Sequence, residues 1–88
     1  MIIINGVEFP ENTNAILLEP RTIYDYAIIE YDFERDVAIY SERLFLMSCC
    51  QFMTYFESLE FYSYNVLGMR DYYEYYPIFI NEDGEEEE

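Results

Sequence analysis

Glu30, Asp32, Glu34 and Asp36 stand at alternate positions of this 88-residue chain, and theirs is the spacing that could do chemistry. Carboxylates in such a run could chelate a cation, work as an acid and base pair, or present a row of negative charge. The cation reading fails on detail. The run from Asp32 alternates acids as a calcium-binding EF-hand loop begins, but its sixth position, where the sharp turn needs Gly, is Val37. Its twelfth, where a Glu should close the coordination shell, is Arg43. Catalysis lacks its parts as well. The chain has no His, the commonest general base and metal ligand, no G-x-S-x-G and no phosphate-cradling Gly-rich loop. With 19 acids present, paired carboxylates arise by chance. No enzyme, metal or cofactor is expected.

The row of charge remains. If residues 30–36 are extended, these carboxylates share one face at intervals of roughly 6.6 Å, twice the strand rise. Successive phosphates along a nucleic-acid strand lie roughly 6 to 7 Å apart, so the row could stand in for a phosphate backbone. The competing reading is a turn within Asp32–Asp36, which would make these acids an ordinary solvated hairpin edge. Composition bears on the choice. Nineteen acids against four Arg, with no Lys, give a net charge of −15. Self-repulsion on that scale opposes compaction, and a folded chain that keeps it presents a field for a positive partner, although solubility alone would also use it. Direct nucleic-acid binding is disfavoured because the phosphates would be repelled.

Aromatic residues separate this chain from disordered acidic segments, which are poor in them. Eleven Tyr and seven Phe are threaded among the acids, as in Tyr24-Asp25-Tyr26 and Asp71-Tyr72-Tyr73-Glu74-Tyr75-Tyr76. If that second run is locally extended, Tyr72, Tyr73, Tyr75 and Tyr76 cannot all face inward. Tyrosines beside acids suit an Arg- and Lys-lined surface, combining charge pairing with cation–π contact. The candidate partner-binding set is therefore Asp25, Glu30, Asp32, Glu34, Asp36, Glu57, Glu60, Asp71 and Glu74 for the field, with the four tyrosines as anchors. The plainer alternative is that about half of the tyrosines complete a small core.

The elements that must position these residues are short. Ile2-Ile3-Ile4 and Val7-Glu8-Phe9 flank Asn5-Gly6, the pair best suited to the two positive φ angles of a type I′ turn, so a hairpin is expected. Ala15–Leu18 reads as a short strand or a helical turn, closed by Pro20. Ala27–Tyr31 and Val37–Tyr40 are rich in β-branched residues and form a second hairpin. Ser41 is a good N-cap for a helix over 42–56, nearly apolar all round except for a stripe of Ser48, Gln51, Thr54 and Ser58. Such a helix is buried on several sides, in its own core or in a homodimer through 42–56. A second helix over 57–67 carries Leu59, Phe61, Tyr62 and Val66 inward and stops at Gly68. Pro77–Ile80 is a last strand. The fold class is α+β: a small antiparallel sheet, from two hairpins and a C-terminal strand, with a helical pair packed on one face.

Length allows one domain of marginal stability, placed at 1–81, followed by an acidic tail at 82–88 of the composition that stays disordered. The tail does not explain the charge, since thirteen acids remain in 1–81 against four Arg. No apolar run is long enough to span a membrane, and the N-terminus lacks the basic region of a secretory signal. Cys49 and Cys50 are adjacent, which seldom meets disulfide geometry, so both are expected to be small buried hydrophobes. Free thiols fit a reducing compartment, hence a cytoplasmic protein.

Ala27-Ile28-Ile29-Glu30-Tyr31-Asp32, Val37-Ala38-Ile39-Tyr40-Ser41, the helical pair ending Tyr62-Ser63-Tyr64-Asn65, and Pro77-Ile78-Phe79-Ile80 together resemble a pattern in small uncharacterised phage and prophage accessory proteins. The chain departs from it at Phe56-Glu57-Ser58, where those proteins carry a Gly-containing turn, and the resemblance carries over no functional residue. In composition the chain also resembles phage-encoded DNA mimics that inhibit restriction enzymes, CRISPR nucleases or uracil-DNA glycosylase. The implied function is an inhibitor that binds the DNA- or RNA-binding surface of a host defence nuclease, in the host cytoplasm. Two alternatives stand beside it: a homo-oligomeric assembly protein whose acidity serves solubility, and a protein that sequesters a basic DNA-binding partner.

Overall fold

Asn5 and Gly6 adopt φ of 51° and 79°, the two left-handed positions of a type I′ turn, and they join β1 (Ile2–Ile4) to β2 (Val7–Phe9) in antiparallel register. A computed structural model describes residues 1–87. Asn5 has a second role: its Nδ2 donates to the carbonyls of Tyr26 (3.0 Å) and Ile28 (2.8 Å), fastening the hairpin to the entry of the main sheet. Residues 15–18 form neither strand nor helix. They run extended and half-buried, with Ile16 N–H donating to Tyr75 O (3.1 Å) and Leu18 N–H to the Tyr40 hydroxyl (2.9 Å). Side-chain and loop acceptors thus satisfy a backbone that no neighbouring strand pairs. Pro20 does not end an element; it opens the single-turn helix α1 (Arg21–Tyr24), its carbonyl accepting from Ile23 and Tyr24.

The main sheet comprises β3 (Ile28–Asp32), β4 (Val37–Ser41) and β5 (Ile78–Ile80), with β4 in the centre. β3 pairs antiparallel to β4, and the register shifts between Ile28 and Glu30. This bulge at Ile29 lets Ile28 and Tyr31 both point inward although they are three apart, and leaves Ile29 and Glu30 outside. β5 runs parallel to β4, Tyr40 opposite Phe79. The sheet is therefore mixed, where the sequence reading gave an antiparallel one. The reason is connectivity: the helical segment between β4 and β5 is a long crossover, the kind of link that parallel pairing requires.

Ser41 caps α2 (Glu42–Cys49), its Oγ accepting from Leu44 N–H at 3.1 Å. The expected helix over 42–56 stops there. A turn over 50–53 follows, and Thr54 then starts α3 (Tyr55–Phe61) with a capping box. Its hydroxyl accepts from Glu57 N–H at 3.1 Å, while the Glu57 carboxylate accepts from Thr54 N–H at 2.9 Å. The break resets the helical phase, which overturns the outward polar stripe. Ser48 and Ser58 are buried, their hydroxyls donating back to Leu44 O (3.0 Å) and Thr54 O (2.9 Å), whereas Phe52, Tyr55 and Phe56 are exposed. Past α3 the chain widens into a π turn (Tyr62–Val66) and tightens into a 3-10 stretch (Leu67–Tyr72). Gly68 does not stop the helix, because it does not take the left-handed conformation of a C-terminal cap.

The core is largely aromatic. Phe79 packs against Tyr40, Phe45 and Tyr62 at ring-centroid distances of 5.4, 5.3 and 5.1 Å, and Phe45 stacks on Tyr24 at 4.7 Å. Burial pushes the Tyr24 and Tyr40 phenols up to about 12. Cys49 lies in this core, but Cys50 is exposed, so only one of the adjacent cysteines is a buried hydrophobe. Residues 82–87, read from composition as a solvated tail, turn back on β5. Asn81 N–H donates to Glu85 O (2.9 Å) and Glu87 N–H to Phe79 O (2.8 Å). Glu82, Asp83, Glu85 and Glu86 remain exposed. Among the described residues, no helix is long and apolar enough to cross a membrane.

Candidate partner-binding face

The sequence-derived acids fall into two groups. Asp25, Asp32, Asp36 and Glu57 hold local structure. Asp25 accepts from Arg21, with Nη2 at 2.9 Å. Asp32 takes Arg35 Nε at 2.8 Å and the backbone N–H groups of Glu34 and Arg35, so it organises the turn that begins at its own position. Its hydrogen bond with Arg35 holds its carboxyl below the ordinary range. Asp36, at φ 54°, accepts from Thr13 Oγ1 (2.5 Å), Asn14 N–H (3.0 Å) and the Tyr31 hydroxyl. The Thr13 bond, then the Tyr31 bond, lowers its carboxyl, and the same contact raises the Tyr31 phenol.

The extended acidic row is thereby overturned. Residues 33–36 are a turn between β3 and β4, and Asp36 points back at the loop before Ala15. The physical cause is the competition that Asp and Asn side chains offer to strand pairing: a carboxylate that caps its own turn need not continue a strand.

Glu30, Glu34, Glu60, Asp71 and Glu74 are the second group: exposed, with carboxylates that form no ion pair among the described residues. The fold brings part of this set together. Glu30, Asp32 and Glu34 surround a shallow depression with Phe33, which is 75% exposed. Glu34 also lines an adjoining groove of about 570 Å³ with Asp71, Tyr73, Glu74, Tyr75 and Tyr76. Asp25, Glu57 and Glu60 line neither. The run is not extended, since Tyr72 ends the 3-10 stretch and residues 74–75 form a turn, so the tyrosines do not alternate: Tyr72 is exposed, Tyr73 is half exposed and stacks on Tyr76 at 6.0 Å, and Tyr75 and Tyr76 are half-buried. Tyr72 lies outside the groove.

Three groups that the sequence reading did not single out complete this face. Arg35 bridges Asp32 and Glu86 (3.1 Å), joining the β3–β4 turn to the C-terminal turn across the sheet, and Arg70 lines the groove. Phe33 stands outward between two acids, with its edge on Tyr31 at 4.9 Å. A lone Arg inside an acidic turn was the available signal for the first; strand alternation would have put Phe33 on the face of Tyr31, and it is outward because the turn begins at its position.

Among the described residues, no cluster of three His, Cys, Asp or Glu has the geometry to hold a metal ion. No protein-family model matches the chain, and no curated protein or solved structure is detectably similar to it.

Proposed function

We propose that the protein is a binding protein that occupies the basic nucleic-acid-binding surface of another protein by negative-charge mimicry. The target class argued from composition is a defence nuclease of a bacterial host, with the protein acting as a phage-type inhibitor in the host cytoplasm. The observation that carries the reading is the sorting of the acids. None of the described acids is buried, and Glu30, Glu34, Asp71 and Glu74 gather with Phe33 and Tyr73 around adjoining hollows, none of the four in an ion pair among the described residues. A field of this kind steers a basic partner quickly, and its effect fades with salt. Arg35 and Arg70 also line the larger hollow, but Arg35 is taken by Asp32 and Glu86 and neither guanidinium forms an ion pair with these four acids. The aromatics supply what charge alone lacks, namely apolar burial and a surface on which guanidinium groups stack.

Immobilised protein should capture a nucleic-acid enzyme from a bacterial lysate at low salt, and duplex DNA should then release it in competition. Capture of nothing specific from lysates that contain such enzymes would sink the reading. Charge reversal refines the test. Glu30→Lys, Glu34→Lys and Glu74→Lys together should abolish capture while leaving the fold intact, because none of these carboxylates holds an internal partner. Asp32 and Asp36 are unsuitable, since their loss would unravel the turn. The assembly alternative draws on the exposed Phe52, Tyr55 and Phe56; sedimentation showing a tight oligomer indifferent to basic proteins would favour it.

A further inference from the structure

We propose that the groove between α2 and the C-terminal turn docks a basic amphipathic segment of a partner protein. The groove encloses about 680 Å³ and shares only Glu87 with the acidic groove described above, so the inference stands apart from the mimicry reading. Its apolar side is built from Leu46, Met47, Cys50 and Tyr55. Its other side carries Glu42, Glu82, Asp83 and Glu87. Arg43 is the one cation lining it, and that guanidinium is already turned to Glu82 at 3.7 Å.

Helical spacing extends the apolar side. Tyr55 opens α3 and Leu59 follows one turn on along the same face, and they are 61% and 37% exposed. A contiguous apolar surface rimmed by polar groups marks an interaction site. Charge selects the occupant. A second copy in a two-fold contact would set this patch against itself, bringing each acidic rim onto its duplicate. It would also have little cation to offer, since Arg21, Arg35 and Arg43 are all paired within their own chain and Arg70 lies in the other groove. The Glu42 carboxyl is held above its usual range by burial and by the facing Glu87, with Glu82 adding to the repulsion; the Tyr62 hydroxyl, donating at 3.0 Å, eases it only in part. An incoming Lys or Arg answers that repulsion while apolar neighbours on the same segment cover Met47 and Tyr55.

The probe is a synthetic helical peptide with Leu at i, i+3, i+4 and i+7 and Lys on the flanks. Addition to the full chain at low salt should shift the Met47 methyl resonance and protect Cys50 from alkylation, with buried Cys49 as internal reference. Met47→Ser or the pair Glu82→Gln, Asp83→Asn should weaken binding about tenfold or more. Glu8→Gln, exposed on β2 and outside the groove, should leave it unchanged. The proposal is overturned if a peptide with Ser in place of Leu binds equally well, if binding ignores the groove variants, or if no shift occurs at Met47. It is equally overturned if sedimentation shows a dimer that Met47→Ser dissociates, which would assign the face to a second copy.

Discussion

Asp36 and Asn5 show how much of this small fold hangs on single polar side chains. Asp36 gathers three donors from two separate segments, and its carboxyl is held below the ordinary range, first by Thr13 and then by Tyr31. A carboxylate with a lowered folded pKa contributes stability above its unfolded value of about 3.9, and that contribution is lost as pH falls through the folded value. Asp36→Asn should therefore lower the melting temperature by a few degrees at pH 7, and the difference from the parent should vanish in strong acid, as thermal unfolding across pH would show. Asn5 is a cleaner case because no charge is involved. Asn5→Gly keeps the positive φ but removes both hydrogen bonds to the sheet, and should cost about 1 to 2 kcal/mol, read from the urea midpoint. Glu42 works in the opposite direction: its folded carboxyl is raised by burial and by Glu87, so the folded state binds the proton more tightly and stability falls as pH rises through that range. Glu42→Gln should raise the melting temperature at pH 7.

At the scale of elements, the α2–α3 joint is where the structure is most open to test. Thr54→Ala removes the side-chain half of the capping box, the hydroxyl that accepts from Glu57 N–H, and should destabilise the protein by about 1 kcal/mol in chemical denaturation, with the loss of helical signal confined to α3. Ser58→Leu, an innocuous change on a polar stripe, should instead force a large side chain into a buried site and cost about 1 to 3 kcal/mol. The contrast shows what the sequence discloses. Local chemistry was legible: Asn5-Gly6 specified its turn, Ser41 its helix start, and the runs read at 27–31 and 37–40 their hairpin, each within a residue of the observed strands. Features that depend on two local signals competing were not. Thr54-x-x-Glu57 is a start signal inside an apolar run that reads as one helix, and the start signal wins because it satisfies two orphaned amides at once. The bulge at Ile29 and the parallel register of β5 depend on what packs against them, information that periodicity does not carry. For the candidate face, the tyrosine-acid run was legible as one that could not all be buried, but which tyrosines face out was not, because the run turns instead of extending; sorting free carboxylates from structural ones needed hydrogen-bond partners that lie far off in sequence, as Thr13 does from Asp36.

For the molecule as a whole, the net charge of −15 sits on a body with a Cα radius of gyration of 12.5 Å. At 0.01 M salt the screening length is about 30 Å, larger than that radius, so every carboxylate feels the rest; at 0.15 M it is about 8 Å. Raising salt over this range should raise the melting temperature, and any captured basic partner should be lost over the same range. A stability that is flat in salt would mean that the charges are compensated locally. The mixed sheet has a consequence of another kind. Phe79, ringed by Tyr40, Phe45 and Tyr62, belongs to a strand that follows the whole helical crossover. A ribosome making this chain from its N-terminus releases β3, β4 and all the helices before the residue that fills the centre of their aromatic face. Until then the growing polypeptide displays a greasy hollow that β5 fills, so this part of the fold closes only once that strand has cleared the exit tunnel.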